Sequence, residues 1–208
     1  YQLHHPDPET PIDETLRALD DVVRAGKARY IGCSNFYAWQ VARALGRSEA
    51  LGVARFGSVQ PRFNLLFRQI ERELLPLCQE EGLGVIPYNP LAGGFLSGKH
   101  RREAGPTAGT RFTLGRAARR YQERYWHERE FATVEALRPL AAEAGLSLTR
   151  LAVAWVLARP AITAPIVGAS RPEQLDDVLP AVEKELDAGL KARLDELTRE
   201  YRWGDDPR

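Results

Sequence analysis

An α/β fold, part of a TIM (β/α)8 barrel with about five parallel strands, is predicted by three observations. Short apolar runs alternate with longer segments of helical period, the sign of βα units around a parallel sheet. The run Gly84 to Tyr88 is apolar enough to be buried on both faces, as parallel strands are. No internal linker or fixed-length repeat interrupts the 208 residues, so the expectation is a single domain over 1–208.

The elements follow in order. Tyr1 to His4 reads as the end of a strand. Leu16, Leu19, Val22 and Val23 share one face of a helix from about Ile12 to Ala25, which Gly26 ends. A second strand runs from about Ala28 to Cys33 and a helix from about Ala38 to Arg47; a third strand covers Phe56 to Gln60. A helix from about Ile70 to Glu81 stops at Gly82 and precedes the strand Gly84 to Tyr88. Residues 92–125 are rich in Gly and Arg and lack periodicity until Tyr121; loops of this length are usually functional or mobile. Helices resume over Glu128 to Ala144 and Ser147 to Ala158. A last strand, Ile162 to Val167, leads into a helix from Pro172 to about Val182 and a final amphipathic helix from Asp187 to Tyr201. The polar tail from Trp203 to Arg208 is expected to fray.

Composition narrows the function classes. Hydrophobic residues are 44% and charged residues 27%, and a net charge of +1 gives no reason to expect nucleic acid or an acidic membrane as partner. No apolar run approaches the roughly 18 residues of a membrane span. Cys33 and Cys78 have neither CxxC nor metal-ligand spacing, which fits buried small hydrophobes in a reducing cytoplasm. The sequence contains no methionine and opens abruptly on Tyr1, so a fragment is expected, with three strands of an eight-stranded barrel upstream.

In a βα barrel the active site is built at the carboxyl ends of the strands. Here those ends carry His4, Ser34 and Asn35, Gln60, Tyr88 and Asn89, and the run Gly168 to Ser170. Each alone reads equally as a turn or cap residue; together they point to a shared site. Several longer motifs go with them: Leu3-His4-His5-Pro6-Asp7; Gly26-Lys27-Ala28-Arg29-Tyr30-Ile31-Gly32-Cys33-Ser34-Asn35-Phe36; Val59-Gln60-Pro61-Arg62-Phe63-Asn64; Pro87-Tyr88-Asn89-Pro90-Leu91-Ala92-Gly93-Gly94; and Ile166-Val167-Gly168-Ala169-Ser170-Arg171-Pro172-Glu173-Gln174-Leu175. In this colinear order the sequence resembles the aldo-keto reductase family along essentially its whole length.

The resemblance implies NADPH-dependent, reversible reduction of a small carbonyl substrate, with NADH a weaker alternative cofactor. It implies that His4 hydrogen-bonds the substrate carbonyl; the structural alternative is a strand-end histidine satisfied by its neighbours. Ser34, Asn35 and Gln60 match the residues that hold the nicotinamide carboxamide, although Ser34 and Asn35 equally suit a helix N-cap. Tyr88 matches the ring that stacks on the nicotinamide, with core packing as the alternative. Asn89, Pro90, Leu91, Ala92 and Gly93 form a loop whose small residues let backbone approach a pyrophosphate. Eight Lys/Arg stand against two acids from Lys99 to Arg124; Lys99 and Arg111 are singled out as pyrophosphate contacts, a solvated basic loop being the alternative. Trp126, Tyr121 and Tyr125 line the substrate mouth or pack in the core. Gly168, Ser170, Arg171 and Gln174 match the residues that bind the 2′-phosphate and adenine, at the start of a helix. Asp177 and Val178 stand where relatives often carry Glu-Asn for adenine. The family's catalytic tyrosine, lysine and aspartate match no position here, so the chain alone is expected to be inactive. A redox-sensing regulatory subunit that binds NADPH and a non-functional relic are the other readings.

Overall fold

The structure, a computed structural model, describes residues 1–183 and 185–204. These group into two compact units, Tyr1–Arg62 with Ile70–Tyr88 and Ala161–Ala164, and Phe63–Gln69 with Asn89–Pro160 and Pro165–Arg208.

The first unit is a parallel sheet with its crossover helices. Strands β1 (Gln2–Leu3), β2 (Ile31–Ser34), β3 (Phe56–Gln60) and β4 (Gly84–Val85) lie side by side in chain order, all parallel. Helices α1 (Ile12–Arg24), α2 (Ala38–Leu51) and α3 (Leu74–Glu80) occupy the three crossovers. A doubly wound sheet reverses its strand order at a switch point. These four strands do not reverse, which is the order of a (β/α) barrel. The core is Leu16 and Leu19 of α1, Val41 and Leu45 of α2, Leu74 and Cys78 of α3, and Ile31, Cys33, Phe56, Val59 and Val85 of the strands, all buried.

β2 starts at Ile31 rather than Ala28 and α2 runs on to Leu51 rather than ending at Arg47; three further departures from the sequence reading turn on proline or a side-chain substitute. Pro76 sits in the first turn of α3, where its ring excludes the carbonyl of residue 72, so the helix starts at Leu74 rather than Ile70. Strand β4 closes at Val85, because Pro87 has no N–H to give; Ile86 N–H and Tyr88 N–H still donate to Val59 O and Pro61 O at 3.0 and 2.9 Å. The fifth strand expected over 162–167 is absent among the described residues. Thr163 N–H donates to Val85 O at 2.8 Å, but Val85 N–H is taken by the Thr163 hydroxyl at 3.1 Å, so a side chain replaces the carbonyl that a ladder needs.

The second unit is helical: α4 (Ala118–Tyr125), α5 (Glu128–Glu143), α6 (Leu148–Leu157) and α7 (Ala188–Leu197), with 3-10 turns between. Its core is organised on Trp155, fully buried, 5.0 Å from the Phe63 ring and flanked by the guanidinium groups of Arg159 at 4.6 Å and Arg68 at 5.2 Å. Asp195 accepts from Trp155 Nε1 at 2.8 Å and from Lys191 Nζ at 2.9 Å. The helix expected from Pro172 is two 3-10 turns, Pro172–Gln174 and Leu179–Glu183, since the ring of Pro180 excludes the carbonyl four residues before it. The final helix ends at Leu197, and a 3-10 turn, Arg199–Trp203, buries Tyr201; of the tail expected to fray, residues 205–208 lie outside the described ones. No single helix among the described residues is long and apolar enough to cross a membrane.

Candidate active site

Because β1 to β4 are parallel, the residues that follow them lie along one edge of the sheet. His4, Asn35, Gln60 and Tyr88 share that edge, and all four join, with Ser34, in one chain of hydrogen bonds. The Tyr88 hydroxyl donates to Asn35 Oδ1 at 2.9 Å. Asn35 Nδ2 donates to His4 O at 2.9 Å and to Ser34 Oγ at 3.0 Å, and Ser34 Oγ donates to Gln60 O at 2.6 Å. All four strand ends are thereby tied together. Asn35 takes a left-handed backbone, φ 62°, which the strand-to-helix turn requires and which asparagine tolerates better than most side chains. Neither Ser34 nor Asn35 caps α2: the cap residue is Tyr37, whose N–H donates to Gln40 Oε1 at 2.9 Å. The His4 imidazole is exposed, its ring centroid 4.2 Å from that of His5.

The second unit gathers a second set. Asn89, at φ 65°, accepts the Gly93 N–H on its Oδ1 at 2.6 Å, closing the turn that contains buried Pro90 and Ala92 and half-buried Leu91. A Cβ at Gly93 would lie 2.6 Å from Tyr121 Cδ1, so only glycine lets this ring cover the turn. Two cations converge on glycine backbone: Lys99 Nζ is 3.4 Å from where a Cβ would stand on Gly94, and Arg111 Nη2 is 3.4 Å from the same point on Gly168. The Arg111 guanidinium also lies over the Tyr121 ring at 5.9 Å. Space between a glycine and a cation suits a phosphate group, and at Gly94 the left-handed backbone, φ 96°, adds to it.

The aperiodic basic segment is anchored. Phe112 is fully buried, packed on His100, Trp126 and Phe95 at 4.7, 5.4 and 5.8 Å. Gln122 Nε2 holds its carbonyl at 2.6 Å. Tyr125 is fully buried, so core packing describes it, whereas Tyr121 and Trp126 are half-buried. His100 carried no signal in the sequence: an isolated histidine in a basic loop gives no period or spacing to read.

Near the chain's end, Ser170 N–H and Oγ both donate to Gln174 Oε1, at 2.8 and 3.3 Å, folding 170–174 into a closed turn from which Arg171 projects, exposed. The expected helix N-terminus here is a three-residue 3-10 turn, too short for an appreciable dipole, so any anion affinity rests on Arg171 itself. Asp177 is engaged elsewhere: its Oδ2 accepts from Ser147 Oγ at 2.5 Å, and its Oδ1 lies 3.5 Å from Arg150 Nη2, which fastens the start of α6. Val178 is buried with Val153, Ala154 and Ala181 in an apolar cluster against which Leu91 and Val167 pack.

A family model described as the Aldo/keto reductase family matches residues 1–199. The chain belongs to the aldo/keto reductase family. It is 39% identical, over 95% of its length, to the uncharacterized oxidoreductase YrpG of Bacillus subtilis, covering 57% of that protein. It is 34% identical to the versiconal hemiacetal acetate reductase of Aspergillus parasiticus, over 89% of this chain and 52% of the relative. It is 35% identical to a probable voltage-gated potassium channel subunit beta of Arabidopsis thaliana, over 86% and 55%. The chain thus spans little more than half the length of these aldo/keto reductase relatives.

Proposed function

We propose that the protein carrying this chain is an NADPH-dependent oxidoreductase that reduces aldehydes or ketones to alcohols, reversibly. The observation that carries this reading is the convergence of Lys99 and Arg111 on the glycine backbone of Gly94 and Gly168, where two cations face space that side chains would otherwise fill. The family membership and the tied strand ends support it. Ser34, Asn35 and Gln60 are assigned to the nicotinamide carboxamide; Asn35 Oδ1 retains a second lone pair beyond the one used by Tyr88. Tyr88 is assigned to the ring face, the Asn89–Gly94 turn with Lys99 and Arg111 to the pyrophosphate, and Gly168, Ser170, Arg171 and Gln174 to the 2′-phosphate and adenine. The cofactor, when bound, supplies the hydride. His4 is assigned to the carbonyl oxygen, where a ring N–H stabilises the negative charge that develops there.

The proton donor is assigned to the part of the relatives' length that this chain does not span, since the family's tyrosine, lysine and aspartate match no position here. Within the chain, the Tyr88 hydroxyl is committed to Asn35. General acid catalysis is worth ~10²–10⁴-fold, so the 208-residue chain alone is expected not to turn over. A reducing, cytoplasmic setting accords with Cys33 and Cys78, which are free, and whose thiols burial pushes up to about 12.

The test follows NADPH absorbance with a panel of aldehydes and ketones. The complete protein is expected to turn over, with a loss of about a hundredfold for His4→Ala. The second reading, a redox-sensing regulatory subunit, is favoured by the similarity to the plant channel subunit. NADPH binding without turnover of any carbonyl would refute the enzyme and select that reading.

A further inference from the structure

Two fully buried residues outside the assigned site, Asn64 and Tyr125, converge on the turn that the proposed function gives to the cofactor phosphates. The turn needs holding. Asn89 and Ala92, two residues with side chains, both sit in the left-handed region, at φ 65° and 50°, and such residues persist where surrounding structure over-determines them. The inner tie is the Asn89 side chain, whose Oδ1 accepts the Gly93 N–H at 2.6 Å while Ala92 N–H donates to Asn89 O at 3.0 Å. Asn89 is itself held from behind. Its Nδ2 donates to the Tyr125 hydroxyl oxygen at 3.1 Å. Asn64 Nδ2 donates to that same oxygen at 3.2 Å and to Asn89 O at 3.0 Å. Asn64 Oδ1 accepts Leu66 N–H at 2.9 Å, which fixes the orientation of the Asn64 amide.

We infer that Asn64 and Tyr125 are positioning residues: they lock the Asn89 carboxamide so that Gly93 and Gly94 hold the conformation that receives a cofactor phosphate. The inference rests on the proposed function for the identity of the ligand. Its physical ground is separate. Buried amides and hydroxyls without partners are costly, so a network of buried polar groups has one well-satisfied arrangement and few alternatives. Here that arrangement ends on the backbone of the turn, against which Tyr121 packs and Lys99 lies. Loosening it would displace the glycine backbone from Lys99, one of the two cations assigned to the phosphates.

The experiment is a double-mutant cycle in the complete protein, read by NADPH fluorescence titration. Tyr125→Phe keeps the ring and removes the oxygen that two amides share. It is expected to weaken NADPH about tenfold, the worth of roughly one to two hydrogen bonds. In an Asn89→Ala background the same substitution is expected to add nothing, because its effect passes through the Asn89 side chain. An unchanged affinity for Tyr125→Phe, or an equal loss in both backgrounds, overturns the inference; the latter outcome marks general packing. Hydrogen exchange at the Gly93 amide in the cofactor-free protein reads the same network independently. Exchange is expected to quicken in Tyr125→Phe and in Asn64→Ser, which removes the second donor; unchanged exchange in both refutes the network's role. Absence of NADPH binding by the unsubstituted protein would instead refute the proposed function and leave the positioning role to be decided by the exchange rates.

Discussion

Acidification is expected to destabilise the segment around residues 98–126 through His100. This side chain is 4% exposed, enclosed by Phe112, Trp126 and Phe95 with ring centroids at 4.7, 5.3 and 5.9 Å. Its Nδ1 lies 3.3 Å from the Thr107 hydroxyl, and its Nε2 is buried without a partner. Burial, and then the charge of Lys99, push its pKa down from 6.5 to about 4. The unfolded chain therefore takes up a proton that the folded protein refuses. The stability owed to the neutral imidazole is complete above the unfolded value and is lost as pH falls from 6.5 towards 4. At 1.36 kcal/mol per unit the full loss is about 3 kcal/mol, of which about 2 kcal/mol is gone near pH ~5. The assay is urea unfolding of the wild type and of His100→Leu at neutral pH and at about pH 5. Carboxylate titration is common to both proteins and cancels in the comparison. The wild type is expected to lose about 2 kcal/mol more than the variant on acidification. Equal losses would show that the imidazole does not resist protonation in its aromatic cage.

Arg171→Ala should weaken NADPH ten- to a hundred-fold and leave NADH nearly unchanged, since a charge-assisted contact to the 2′-phosphate is worth about 1.5–3 kcal/mol. Equal losses for both cofactors would show that Arg171 reads another group. Asp195→Asn should destabilise the helical unit by on the order of 3 kcal/mol, because Arg68, 4% exposed on its side chain, and Arg159 would lose their shared carboxylate. Urea midpoints within experimental error of the wild type would refute that reading of the Trp155 cluster.

The βα alternation was legible because apolar periodicity reports it directly, and the strand-end residues were legible because parallel strands deliver their carboxyl ends to one edge. Strand β3 and the starts of α1, α2 and α5 stand where the periodicity puts them. Part of what failed was local and had proline in it: Pro76, Pro87 and Pro180 trimmed elements whose apolar period runs on past them. The missing fifth strand turned on Thr163, whose hydroxyl occupies the Val85 N–H; a composition suited to a strand does not reveal that competition. Within the candidate site, Ser34 and Asn35 read equally as caps until Tyr37 proved to hold that position. Asn64 ends one of the motifs and Tyr125 reads as substrate mouth or core, but their part in holding the 89–94 turn was not legible, since Asn64, Asn89 and Tyr125 lie 25 to 61 positions apart; no period or motif marks His100.

A crystal structure of the complete protein with NADP⁺ decides whether this chain supplies the cofactor-binding residues proposed for it. The carboxamide is expected on Ser34, Asn35 and Gln60, the nicotinamide ring on Tyr88, the pyrophosphate beside Gly93, Gly94, Lys99 and Arg111, and the 2′-phosphate on Arg171. A cofactor whose phosphates lie away from Lys99, Arg111 and the 89–94 turn would contradict that proposal.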